Sequence, residues 1–215
     1  PDLSANTFEA KFRRQLHGDA LTPQQDAPPA TYQLAGELLY LHLLPVNGIS
    51  GSTKRRIINN ILGWSEASVA IPTDLDQALD EGIARAGQFY LSGRNYQIAY
   101  LIDFVKHWKD LDAADQQHNL EDPWAFKAFA FSVTITYAYA QRELLLHLVH
   151  PDTFEAIMSR EHKAQIVDAF QALVDPNIID IDQQLAQIRA RLTPQHGEGF
   201  TFYGDQVKLQ WQDGN

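Results

Sequence analysis

The stretch Pro123-WAFKAFAFSVTITYAYAQRELLLHLV-His150 is apolar over most of its length and begins with a proline. Proline suits the first turn of a helix, where its missing N–H group leaves no hydrogen bond unmade. A helix that is apolar around nearly its whole circumference is typically buried. We therefore predict one long apolar helix over 123–150 as the central element of the fold. Lys127, Gln141, Arg142 and Glu143 interrupt the run, so it does not read as a membrane span.

Amphipathic segments on both sides of this stretch predict further helices, and hence a mainly α, multi-helix, bundle-like domain. Ser50, Ser52 or Thr53 is expected to cap one helix, Ser159 to cap another, and Asp180 to begin a third. The tail differs, because its apolar residues alternate around Gly204-Asp205, which predicts a short C-terminal β-hairpin.

The predicted domain organisation follows from these elements. Residues 1–195 form a helical domain, with a split into two subdomains near 112–122 as an alternative. Residues 196–215 form the hairpin and a linker toward a following domain. A chain that starts at Pro1 without methionine is expected to be a fragment or a processed chain.

Composition limits the function classes. The 215 residues include no cysteine, which excludes disulfides and thiolate zinc sites and favours a reducing, cytoplasmic setting. No apolar run reaches the roughly 18 residues that cross a bilayer, so no membrane partner is expected. The net charge of −10 is uneven: residues 1–65 carry 6 basic and 5 acidic groups, whereas residues 66–122 carry 4 and 11. Because phosphate contacts dominate DNA affinity, any DNA surface is expected in the N-terminal third.

The segment GISGSTK at 48–54 contains the residue types of a phosphate-binding loop. Its two glycines are three positions apart instead of five, and Ser52 stands where the motif requires lysine. We therefore interpret it as the start of a helix, with Lys54, Arg55 and Arg56 on an exposed first turn. Cations at a helix N-terminus oppose its dipole, which hints at an anionic partner. The predicted nucleic-acid or partner surface comprises Lys11, Arg13, Arg14, Lys54, Arg55 and Arg56.

A metal-dependent hydrolase is the alternative hypothesis. Glu143, His147 and His150 are spaced i, i+4 and i+7, so one helix would place them on a shared face suited to zinc or iron, with Asp152 or Glu161 as a further ligand. Glu161 and Lys163 also match part of a nuclease motif, but two residues turn a helix by roughly 200° and would point them apart. Lys163 is therefore expected to be solvated. No catalytic residue and no cofactor is predicted.

Five stretches together resemble the region upstream of the motor in McrB-like AAA+ proteins, which are methyl-directed restriction and anti-phage defence ATPases or GTPases. These stretches are TYQLAGELLYLHLLP, STKRRIINNILGW, DPWAFKAFAF, LHLVHPDTFEAIMSREHKAQIVDAF and FYGDQVKLQW, and they span roughly residues 8–211. The resemblance implies a noncatalytic specificity or assembly module, with the nucleotide site in a downstream NTPase domain beyond residue 215. It also implies a McrC-like nuclease partner, and DNA or a phage component as the recognised ligand. A passive helical scaffold is a further alternative.

Overall fold

The computed structural model describes residues 7–17, 27–67, 69–85 and 87–212, which form twelve α-helices and one pair of two-residue strands. The mainly α class is therefore confirmed. The chain divides into two compact units, one of residues 1–113 with 132–141 and one of residues 114–131 with 142–215. Within the described residues, no helix combines the length and apolarity that crossing a bilayer requires.

The first unit contains the N-terminal helices. Its elements are α1 (Phe8–His17), α2 (Pro29–Leu43), β1 (Val46–Asn47), α3 (Gly51–Leu62), α4 (Thr73–Ala78), β2 (Ala84–Arg85), α5 (Gln88–Ser92) and α6 (Arg94–Asp110). The two strands pair in parallel, with Val46 opposite Ala84. Helices α2 and α3 pack closely at Gly36, where an added Cβ atom would lie 2.5 Å from Leu62 Cδ2. This unit is therefore built on a tight pair of helices.

The second unit contains most of the remaining helices. They are α7 (Ala113–Glu121), α8 (Pro123–Ser132), α9 (Tyr139–Val149), α10 (Arg160–Ala169), α11 (Ile181–His196) and α12 (Asp205–Gln212), with a 3₁₀ turn at Gln171–Leu173. The first three residues of α9, residues 139–141, belong to the first unit. Helices α10, α11 and α12 enclose an apolar cluster that includes Ile166, Ile188 and Trp211. The Trp211 Nε1–H group donates to the Phe202 carbonyl at 2.7 Å, so the indole is both buried and hydrogen-bonded.

The predicted long helix over 123–150 is wrong in its middle. Helix α8 ends at Ser132, α9 begins at Tyr139, and Tyr137 between them has a φ of 55°. The intervening Val-Thr-Ile-Thr run is β-branched, which lowers helix propensity, and a left-handed tyrosine cannot continue a right-handed helix. The start of this helix at Pro123 is confirmed.

The predicted C-terminal β-hairpin is also wrong, because residues 205–212 form α12. Val207 and Trp211 are four residues apart and both are buried, whereas Leu209 between them is 62% exposed. That spacing places the two buried residues on one helical face. The helix packs on the core of the second unit. The predicted helical domain of residues 1–195 and its alternative split near 112–122 stay predictions.

Candidate functional site

The second unit buries a group of charged side chains that begins with Lys163 on α10. Its Nζ atom lies 2.6 Å from Glu143 Oε2 on α9 and 2.6 Å from Asp182 Oδ1 on α11. The three side chains are 1%, 5% and 2% exposed. The expectation that Lys163 is solvated is therefore wrong: its ammonium group is buried and binds two carboxylates that lie 19 and 20 residues away in the sequence.

Lys127 on α8 extends this group to a fourth helix. Its Nζ atom lies 2.6 Å from Asp182 Oδ2 and 2.7 Å from both carboxylate oxygens of Asp180. Asp180 is also the N-cap of α11, because its Oδ1 atom accepts from the backbone N–H groups of Asp182 and Gln183. The start of α11 is thus fixed by a cap and by two lysines. We call Lys127, Glu143, Lys163, Asp180 and Asp182 the ion network.

Burial and pairing act against each other on the pKa values in the ion network. Burial lowers the pKa of Lys163, but the charges of Glu143 and Asp182 outweigh it, so the net shift is upward. Burial raises the pKa of Asp182, but the two lysines outweigh it and the net shift is downward. Both groups are therefore held in their charged forms across neutral pH.

The ion network links α8, α9, α10 and α11 and therefore has a structural role. Each ammonium group contacts two carboxylates, and Lys163 is shielded from solvent on all sides. A catalytic base or nucleophile needs a free lone pair that a substrate can reach. A lysine held charged and covered meets neither condition.

The predicted metal-ligand set of Glu143, His147 and His150 is not assembled. Glu143 binds Lys163, His147 Nδ1 lies 2.6 Å from the Phe154 carbonyl, and His150 Nε2 lies 3.2 Å from the Asn119 carbonyl. Asp152 and Glu161 are exposed on the surface. In the part of the chain that the structure describes, no three His, Asp or Glu side chains form a group able to hold a metal ion.

The structure corrects the expected exposure of Lys54 and Arg55, two members of the predicted basic surface. Lys54 is 1% exposed, and its Nζ atom donates to the carbonyl groups of Leu44 at 3.2 Å and Glu81 at 2.7 Å. Burial lowers its pKa, with Asp80 and Glu81 opposing the shift. The cation at this helix start therefore has its partners inside the protein.

Arg55 is held by two carboxylates that the sequence places more than twenty residues away. Its Nε atom lies 2.9 Å from Asp76 Oδ1, and its Nη1 atom lies 2.7 Å from Asp80 Oδ1. The hydrogen bonds from Arg55 lower the pKa of Asp80. Arg56 is exposed. The helix start itself is confirmed, since Ser50 is the N-cap and its Oγ atom accepts from the Thr53 N–H group at 3.3 Å.

The other half of the predicted basic surface lies on α1. Lys11, Arg13 and Arg14 are all exposed there, and the Arg13 guanidinium lies 5.7 Å from the centre of the Trp64 ring. An arginine over an indole is a favourable cation–π arrangement. The structure thus keeps these three cations and Arg56 at the surface.

A second buried polar group, in the first unit, joins α2, α5 and α9. His42, Tyr90 and Gln141 are at most 2% exposed. His42 Nδ1 lies 3.0 Å from Gln141 Oε1, and the Tyr90 hydroxyl lies 2.8 Å from the same oxygen and 2.9 Å from the His42 carbonyl. Burial lowers the pKa of His42 to about 4, so its ring is neutral at pH 7.

Sequence reasoning missed both buried polar groups. The available signals were weak: Lys127 and Gln141 stand inside the apolar stretch from Pro123, and Asp180 and Asp182 flank the start of a helix. A lone polar residue in an apolar run indicates that it needs a partner but does not identify that partner. The pairs here are separated by 19 to 99 residues, so only the fold brings them together.

The surface of the second unit is strongly acidic. Among its described residues, eight carboxylates are exposed against two exposed cations, Arg160 and Arg191. The exposed carboxylates belong to Asp115, Glu121, Asp152, Glu161, Asp168, Asp175, Glu198 and Asp205. The excess is already present in the sequence, because the described residues of this unit hold 13 carboxylates against 7 lysines and arginines. The ion pairs of Lys127, Lys163 and Arg189 within the unit use carboxylates as well as cations.

Comparison of the chain with protein-family models, curated proteins and solved structures finds no match. The resemblance to McrB-like proteins therefore stays a prediction.

Proposed function

We propose that this chain is a noncatalytic assembly module that uses its second unit to bind a basic surface of a protein partner. The setting we propose is the one the resemblance implies, a McrB-like NTP-driven restriction or defence system. The candidate partners are a downstream NTPase domain of the same chain and a McrC-like nuclease.

The observation that carries this proposal is the ratio of eight exposed carboxylates to two exposed cations on the second unit. Such a surface repels nucleic acid and attracts a protein surface of opposite sign, which speeds association and selects partners. The buried cations add support, because a lysine directed into an ion network is withdrawn from any contact with phosphate.

The test compares two charge-reversed variants. D152K/D168K reverses two exposed carboxylates of the second unit, and E37K/E66K reverses two exposed carboxylates of the first unit as the matched control. Each protein is produced in the native host and treated with a carbodiimide, which joins carboxylates to lysines in direct contact. Mass spectrometry then locates the joined residues.

We expect wild type and E37K/E66K to yield the same cross-linked partner through second-unit carboxylates, and D152K/D168K to lose most of that product. If no product involves second-unit carboxylates, or if D152K/D168K retains it in full, the assembly role is refuted. A passive scaffold is then the better account.

DNA binding by α1 is the second candidate, favoured by three exposed cations on that helix, of which Arg13 lies over the half-buried Trp64 ring. A fluorescent 20-base-pair duplex titrated with wild type and K11E/R14E tests it. Binding that weakens with salt and is lost in the variant supports this role. Equal binding by the two proteins, or none by wild type, rejects it.

A further inference from the structure

The polar group of His42, Tyr90 and Gln141 leaves two of its own atoms without a hydrogen-bond partner among the described residues. They are His42 Nε2 and Gln141 Nε2, both buried from solvent. Buried polar atoms in folded proteins are nearly always paired with protein or with ordered water. The two atoms therefore need an explanation.

The orientation of the Gln141 amide does not remove the problem. With Oε1 facing His42, the His42 Nδ1–H group donates to it. The unpaired atoms are then an acceptor, His42 Nε2, and a donor, the Gln141 NH₂ group. The Tyr90 hydroxyl has one hydrogen, which donates either to the His42 carbonyl or to Gln141 Oε1, the two acceptors within its reach.

Turning the amide by half a rotation exchanges its oxygen and nitrogen. The Gln141 NH₂ group then donates to the Tyr90 oxygen and to His42 Nδ1, and Tyr90 donates to the His42 carbonyl. The unpaired atoms become a donor, His42 Nε2–H, and an acceptor, Gln141 Oε1. In both orientations one donor and one acceptor remain.

A partner for this pair must accept one hydrogen bond and donate another, and the full burial of His42 and Gln141 favours a neutral group over an ion. A hydroxyl group has this character, and full burial of all three side chains favours the smallest molecule that carries one. We propose that His42 and Gln141 bind an internal water molecule that bridges α2 and α9 within the first unit.

Nuclear magnetic resonance tests the site directly. Rotating-frame Overhauser transfer from water to the Gln141 side-chain amide protons is measured in ¹⁵N-labelled wild type and in Y90F, which keeps both members of the site. We expect transfer in both proteins. Protected Gln141 amide protons that receive no transfer from water would overturn the proposal.

Folding equilibria supply a second measurement with H42F, Q141L and H42F/Q141L. Each single variant leaves a buried group of the remaining partner unpaired, so we expect each to lower the folding equilibrium constant about tenfold or more. The double variant removes both groups, and we expect its loss to be clearly smaller than the product of the two single losses. Losses that multiply would contradict a shared site.

Native mass spectrometry distinguishes water from a larger alcohol as the source of the hydroxyl. A desalted protein at the mass of the polypeptide, together with the water transfer, supports water. A retained organic molecule without the water transfer overturns water as the occupant.

Discussion

Replacement of Lys163 by methionine tests the ion network most directly. Methionine keeps most of the side-chain volume, so the variant removes the charge with little change in packing. Glu143 and Asp182 then stay buried at 5% and 2% exposure without the ammonium group that lies 2.6 Å from each in wild type. Removing one partner of a buried ion pair typically costs about 3–5 kcal/mol in the free energy of unfolding. Since typical domains have about 5–15 kcal/mol in total, K163M is expected to be severely destabilised.

The pH dependence of this loss identifies its cause. The pKa of Asp182 is lowered in the folded state, so its stabilising contribution is present above its unfolded-state pKa and is lost as the pH falls through the folded-state value. The pKa of Lys163 is raised, so its contribution is present below its unfolded-state pKa and is lost as the pH rises through the folded-state value. Both contributions are therefore intact at pH 7. In K163M Asp182 keeps only Lys127 to oppose the burial that raises its pKa, so it takes up a proton more readily as the pH falls.

Urea unfolding at pH 7 and pH 4.5 measures the effect. We expect K163M to lose about 3–5 kcal/mol in the free energy of unfolding at pH 7. At pH 4.5 we expect this loss to be smaller by roughly 1 kcal/mol. E143Q in the K163M background should recover part of the loss, because it removes one unpaired charge. The matched control is K106M, since Lys106 is 69% exposed and 3.6 Å from Asp103, and its loss should stay within about 0.5 kcal/mol.

Two results would refute this account. A K163M loss below about 1 kcal/mol at pH 7 would mean that the ion network contributes little beyond its desolvation cost. A loss of equal size at both pH values would mean that packing, and not unpaired charge, causes it.

Three further variants test local features by thermal or urea unfolding. K54E places a buried carboxylate beside the carbonyl groups of Leu44 and Glu81 and should abolish cooperative unfolding, whereas R56E, on the exposed face of the same helix, should change stability by at most about 0.5 kcal/mol. S159A removes the N-cap of α10 and should cost about 1 kcal/mol, with S159D close to wild type. G36A forces a methyl group to within 2.5 Å of a packed side chain and should cost about 1–3 kcal/mol, whereas G87A, with open space around it, should cost less than G36A.

The sequence determined the features that depend on neighbouring residues. Pro123 begins α8, and Ser50, Ser159 and Asp180 cap the helices they precede, because each cap binds an N–H group two or three residues ahead. The mainly α class follows from the same local patterns. The segment GISGSTK differs from the phosphate-loop motif in its own residues, and Ser50 within it is the N-cap of α3.

Tertiary structure decided which charges face water. Lys54 and Lys163 look like surface lysines in the sequence, yet each is 1% exposed. Their hydrogen-bond partners lie 10 to 27 residues away in the sequence. Exposure depends on what packs against a residue, and that is settled only when the whole unit has formed.

Tertiary structure also decided the two elements that the patterns misidentified. The apolar stretch after Pro123 fits a long helix by composition, but its β-branched middle and the left-handed Tyr137 end α8 early. The tail can be read with a period of two or of four residues, and burial of Val207 and Trp211 on one face selects the helix. In the tail, where both periods fit the sequence, the helix is the element that buries Val207 and Trp211 together.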